Sequence, residues 1–188
     1  MSKVTFADKV SLREVAVAII NKITAANINE IKASVNALYD ATGWATYEDG
    51  QYTSGSPFTV AQGVTSALPN DADTVTDSQL PAGWAPYADG VINGEGVGDL
   101  LLVDVHFTAS SSANDGAFDV ILDNGHEQRK TIVFRRNAVT NVHFCTSFVL
   151  PVDAAVMADG ATLSVESISG NTSIWDIEYT IARIHKGQ

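Results

Sequence analysis

The sequence predicts a mainly β chain, with an N-terminal α-helical segment followed by an antiparallel β-sandwich of the jelly-roll type. Three observations carry that prediction. Apolar residues recur at helical steps as far as Leu38 and no further. Beyond Ser56 the chain becomes a series of about eight period-two segments, roughly 10 to 15 residues apart. No helical stretch separates those segments, so the crossovers that a parallel β/α sheet needs are missing. No internal repeat appears at a fixed period.

Residues 11–42 read as helix. Ser11 and Glu14 fit the reciprocal capping-box pattern, and Leu12, Val15, Ile19 and Ile23 follow at helical spacing. A second start signal sits at Thr24, after which Ile28, Ile31, Val35 and Leu38 recur at steps of three, four and three. That is the a/d pattern of a coiled-coil seam, held for about two heptads. A helix so short is marginal alone in water, so its stripe must pack on its own domain, on sister copies or on another protein. Gly43 is the expected helix stop. The chain therefore divides into a helical anchoring and oligomerisation segment (1–45), a linker or first loop in the Gly-, Ser- and Tyr-rich stretch 46–56, and a β-sandwich domain (57–188).

Within the β domain, residues 58–68 form the first strand candidate, and 71–89 is turn-rich through Pro69, Pro81, Gly83 and Pro86. Residues 100–108 are apolar on nearly both faces, as in a central strand. Phe118, Val120 and Leu122 alternate up to a hairpin turn at Asp123-Asn124-Gly125. Residues 129–136 and 142–150 keep the period of two. Residues 162–168 and 174–184 complete the set, with Trp175, Ile177, Tyr179 and Ile181 expected on one face.

The chain has 188 residues, long enough to bury a core without disulfides or metals. Its 45% hydrophobic and 18% charged residues are a globular composition. With 11 basic and 22 acidic side chains the net charge is −11. That excludes a free-standing nucleic-acid binder and a surface that seeks anionic lipid, since both depend on phosphate neutralisation. Five basic and four acidic residues fall before Trp44, whereas thirteen acids and no Lys or Arg fall between Glu48 and Glu127. This step suggests two surfaces with different tasks, or an acidic face that confers solubility. Asp8, Arg13 and Glu14 interrupt any signal-peptide core, and no apolar run reaches membrane-spanning length. The expectation is a soluble protein made in the cytoplasm, without membrane insertion.

The chemistry-bearing residues form no catalytic signature. His106, His126, His143 and His185 share no metal-site spacing, although His106 and His143 sit where neighbouring strands could bring them together. Cys145, the single cysteine, permits no intrachain disulfide and reads as a small buried apolar residue. Gly94-Glu95-Gly96-Val97-Gly98 precedes a strand rather than a helix, so it reads as a flexible turn and not a phosphate loop. Asp71, Asp73, Asp77, Asp115, Asp119 and Asp123 offer oxygen ligands for calcium but match no EF-hand loop, and Asp is equally at home in solvated turns. Arg129, Lys130, Arg135 and Arg136 are the one basic island of the acidic part, available to acids of a neighbouring copy or to guard an edge strand. The expectation is no catalytic site, no metal and no cofactor.

The segment Ile23-Thr24-Ala25-Ala26-Asn27-Ile28-Asn29-Glu30-Ile31 resembles the openings of phage virion proteins: trimeric head fibres, capsid decoration proteins and short tail fibres. The run from Phe148-Val149-Leu150 through Ala158-Asp159-Gly160-Ala161-Thr162-Leu163-Ser164-Val165 to the last strand is similar in order to the C1q/tumour-necrosis-factor jelly roll. The collagen stalk of C1q proteins is missing.

The resemblance implies a homotrimer on the particle surface whose Ile28, Ile31, Val35 and Leu38 meet their counterparts. Its N-terminal segment would dock on a capsid or tail protein. Its β domain would serve capsid stabilisation or adhesion to a host-surface glycan. Of the aromatics suited to a glycan, Trp44, Trp84, Tyr87 and Trp175, the loop-borne Trp84 and Tyr87 stand out because Pro81, Gly83 and Pro86 surround them. Head fibre or decoration protein comes first; a tail fibre or receptor-binding protein is the alternative. A carbohydrate-active jelly-roll enzyme with paired carboxylates, and a sugar- or metal-binding cupin, rank lower.

Overall fold

The computed structural model describes residues 25–71, 74–134 and 141–187. The first half of the expected helical segment, including Ser11 to Ile23, lies outside them. From Ala25 the helix is present as α1 (Ala25–Ala41), followed by β1 (Gly43–Glu48), β2 (Phe58–Val60), β3 (Thr65–Ala67), β4 (Thr74–Gln79), β5 (Tyr87–Ala88) and β6 (Val91–Ile92). The long strands β7 (Leu100–Ser111), β8 (Ala117–Asp123), β9 (Gln128–Val133) and β10 (Val142–Pro151) come next, and a short helix α2 (Ala154–Asp159), β11 (Thr162–Ser169) and β12 (Thr172–His185) close the chain.

Two antiparallel sheets face each other. One runs β10-β7-β12-β1-β4, with β2 also paired to β12; the other runs β3-β11-β8-β9. If β1, β3, β7, β8, β9, β10, β11 and β12 are counted one to eight, the sheets read 1-8-3-6 and 2-7-4-5. That order, a double Greek key, is the jelly roll. The expectation of a helical segment followed by a β-sandwich therefore holds.

The core between the sheets follows from the period of two. Leu101, Val103, Val105 and Phe107 of β7 point inward to meet Phe118, Val120 and Leu122 of β8 and Ile177, Tyr179 and Ile181 of β12. Phe107, Phe118, Phe134 and Phe144 form a cluster of tilted and edge-on rings with centroids 5.5–5.8 Å apart. At the other end Tyr87 packs on Tyr47 and Tyr179, each at 5.4 Å. The Tyr179 hydroxyl donates to Leu68 O and the Tyr87 hydroxyl to Asn70 O, both at 2.8 Å. These bonds bind the 68–70 segment to the core.

Three boundaries differ from expectation. The linker expected at 46–56 begins inside β1, which is no linker but an interior strand of its sheet, paired to β12 and β4. Its alternation, Ala45 and Tyr47 inward, spans too few residues to stand out from the Gly- and Tyr-rich stretch behind it. The single strand expected over 58–68 is split between sheets as β2 and β3, and the turn-rich 71–89 region holds β4. A bulge between Trp175 and Glu178, with Asp176 at φ +51°, also shifts the phase of β12. Ile174, opposite Ala109, joins Ile177, Tyr179 and Ile181 inside, while Trp175, opposite Thr108, lies on the outer face.

Candidate attachment surface

Helix α1 begins the site. Ile28 is half-buried, but Ile31, Val35 and Leu38 are 60%, 42% and 72% exposed. Among the described residues, then, Ile31, Val35 and Leu38 are left uncovered by the sandwich. The helix has no acid in its first turn and no base in its last, so its own side chains supply none of the charges that complement its dipole.

Its C-terminal carbonyls are capped from elsewhere. Arg183 of β12, its side chain fully buried, donates from Nε to Ala41 O at 3.2 Å and from Nη2 to Asp40 O. The same guanidinium pairs through Nη1 with Glu95 and lies 3.6 Å from Asp99. Its flat face rests on the Trp84 ring, 4.6 Å from the centroid. The hydrogen bond from Arg183 holds the Glu95 carboxyl below its ordinary value, against the opposing effect of burial, with help from Lys186 at 3.4 Å. Asp99 accepts from the backbone N–H groups of Glu95, Gly96 and Gly187. The glycine-rich 94–98 segment, expected to be a flexible turn, is thus pinned at both ends. Gly43 does not act as a left-handed helix cap; it is glycine because a Cβ would lie 2.7 Å from Pro81 Cδ and 3.0 Å from the Trp84 ring.

This arrangement corrects the choice of Trp84 and Tyr87 as glycan-facing residues. Trp84 and Tyr87 are 5% and 7% exposed. The Pro81–Pro86 turn folds inward: Trp84 lies beneath Arg183 with Nε1 donating to Asn93 O at 3.2 Å, and Tyr87 fills the gap between Tyr47 and Tyr179. Their proline and glycine neighbours signalled a turn, and only the buried arginine decides which way that turn faces. Of the other aromatics, Trp44 is half-buried and Trp175 buried.

The outer face of the β10-β7-β12-β1 sheet carries four rows set by cross-strand pairing. Val149, Leu102, Ala182 and Trp44 form an apolar row beside the exit of α1. Ser147, Asp104, Thr180 and Thr46 form a polar one, then come Cys145, His106, Glu178 and Glu48, and finally His143, Thr108 and Trp175. His106 and His143 share this face but are not opposite one another. His106 Nε2 lies 3.5 Å from Cys145 Sγ, and His143 Nδ1 lies 2.7 Å from Thr108 Oγ1. Cys145 is exposed rather than buried, which corrects the apolar reading of that residue.

The remaining charges serve the fold. Arg129 reaches Asp119, Glu127 and Glu166 of its own chain. Asp123 accepts from Gly125 N and shapes the expected hairpin turn, and Asp71 accepts from Gly50 N. Asp115 is exposed. Arg135, Arg136 and Asp73 lie outside the described residues, as does the side chain of Asp77. Among the described residues, no three His, Cys, Asp or Glu side chains are grouped to hold a metal ion. An open pocket of about 220 Å³ is lined by Glu48, Asp49, Asp176, Ile177 and Glu178. Asp49 is engaged there in accepting from Tyr52 N at 2.8 Å and Asp71 N at 3.2 Å. No described helix is long and apolar enough to cross a membrane.

No family model matches the chain, and no curated protein does. Among solved structures, the chain is similar to an Eiger TNF from S. frugiperda at 13% identity and TM-score 0.48, covering 79% of this chain and 96% of that one. It is similar to the PRD1 vertex protein P5 at 14% identity and TM-score 0.47, covering 78% and 98%. It is also similar to the globular domain of zebrafish complement 1qA at 10% identity and TM-score 0.44, covering 79% and 99%. The strand order given above, rather than these likenesses, defines the jelly roll.

Proposed function

We propose that the chain is a non-catalytic structural protein of a phage particle, a homotrimeric head fibre or capsid decoration protein. It would attach through its N-terminal segment and present the acidic sandwich outward, to stabilise the capsid or to meet a host surface. The observation that carries this reading is the exposure of Ile31, Val35 and Leu38 on one face of a helix whose end is tied to the sandwich by Arg183. Three copies of α1 side by side bury one another's stripe. A fully buried aliphatic side chain contributes roughly 1.5–3 kcal/mol, so the seam is worth several kcal/mol per chain. The step from a near-neutral leader to an acidic sandwich supports the same orientation, because like-charged outer domains splay apart while their leaders meet.

The test is the mass of the full chain in solution by sedimentation equilibrium. A trimer that Leu38→Asp converts to a folded monomer supports the reading. A wild-type chain that stays monomeric at every concentration removes its basis.

A further inference from the structure

We infer that Cys145 and His106 form a binding site for a soft or borderline divalent cation, zinc above all, on the outer face of the β10-β7-β12-β1 sheet. The inference needs only one copy of the chain and does not rest on the trimer.

The geometry comes first. A tetrahedral zinc ion holds thiolate sulfur at about 2.3 Å and imidazole nitrogen at about 2.0–2.1 Å, which places the two donor atoms about 3.6 Å apart. Cys145 Sγ and His106 Nε2 are 3.5 Å apart. The donor separation therefore already matches that of two ligands sharing one ion.

The ladder supplies the preorganisation. Cys145 and His106 are directly opposed, and so are the pairs on either side of them, Phe144 with Phe107 and Thr146 with Val105. Those neighbours point into the sandwich, where Phe107 and Val105 are buried, so the backbone beneath the two ligands is held by the core. The ligands themselves project outward and Cys145 is solvent-exposed, which leaves the remaining coordination positions open to water or to a further donor. On the far side of His106 its cross-strand partner is Glu178, opposite Glu48 in turn, so two carboxylates continue the row and favour a cation.

Donor chemistry selects the ion. Calcium and magnesium want several oxygen ligands, whereas a thiolate and an imidazole suit zinc, cobalt or copper(I). Binding replaces the S–H proton of Cys145 by the metal and releases that proton to solvent, and it requires His106 neutral. Affinity therefore falls with acidification.

The probe is Co²⁺ alone, added to the reduced, metal-stripped full chain and followed by its near-ultraviolet thiolate charge-transfer band. We expect that band to grow to saturation and to be displaced by Zn²⁺. Cys145→Ser abolishes it, and His106→Ala weakens cobalt binding by roughly tenfold or more, since losing a ligand outranks outer-shell losses of about 10- to 100-fold. His126→Ala, at an exposed turn, leaves binding unchanged. Cys145 and His126 are exposed and His106 is half-buried on the outer face, so none of the variants opens the core. No thiolate band in the wild type, or a band whose midpoint His106→Ala does not move, overturns the site.

Discussion

The Nε of Arg183 donates to the carbonyl oxygen of Ala41 at 3.2 Å, across 142 residues of chain. The last strand of the sandwich thereby caps the helix that precedes the first. An α-helix leaves its final carbonyls without partners, and here a buried guanidinium supplies them while also facing Glu95, Asp99 and Trp84. The direction in which α1 leaves the sandwich is thus set by a charge inside it.

Removing that charge has a defined consequence. Arg183→Met keeps most of the volume but leaves Asp99, which is 1% exposed, facing no cation. Breaking a buried pair by deleting one partner costs about 3–5 kcal/mol. We expect a fall of that size in urea-denaturation stability. Arg183→Lys restores only part of it, because an ammonium lacks the planar fork that reaches two carbonyls while stacking on an indole.

Alkaline pH acts next to the Trp84 turn, at Tyr87. Burial, followed by the charges of Asp49 and Asp71, pushes Tyr87 from its ordinary value of 10 up to about 12. The folded state thus holds this proton more tightly than the unfolded state. Its contribution is complete below pH 10 and is lost as pH rises from there through about 12. Tyr87→Phe loses the bond to Asn70 O and, at neutral pH, about 0.5–1.5 kcal/mol. The gap between wild type and variant narrows above pH 10. Denaturation midpoints taken at neutral and alkaline pH check this, and a gap independent of pH contradicts it.

The acid-lined pocket holds a local repulsion. Glu48 and Glu178 are direct cross-strand partners between β1 and β12. Like charges directly opposed destabilise a sheet by up to about 1 kcal/mol. Glu48→Gln is therefore expected to raise the melting temperature in dilute buffer. Salt screens the repulsion in the wild type, so the gain shrinks at high ionic strength. A melting temperature unchanged at low salt argues against the repulsion.

The expectation that Trp84 and Tyr87 are open to a glycan fails for a reason particular to two residues. Pro81, Gly83 and Pro86 mark a turn around Trp84 and Tyr87, and a turn is normally outside. What this one packs against is Arg183, about a hundred residues later, with Glu95 and Asp99 to neutralise it. A shorter separation in sequence, 39 residues, hid the Cys145–His106 pair. Each residue was visible, but their opposition depends on the β7–β10 register. The β12 bulge, one extra residue at Asp176, moved Trp175 to the outer face against an otherwise regular alternation.

Local rules by themselves determined the helix over Ala25–Ala41, the identity of the long strands, the hairpin at Asp123–Gly125 and the inward faces of β8 and β10. Each of these depends on side-chain period or turn chemistry within a few residues. Tertiary structure alone decided that β1 is an interior strand, which way the Trp84 turn faces, what caps α1 and which donors meet on the outer sheet. Those outcomes join residues dozens to more than a hundred positions apart, and no local periodicity encodes which distant backbone or charge will satisfy a buried polar group.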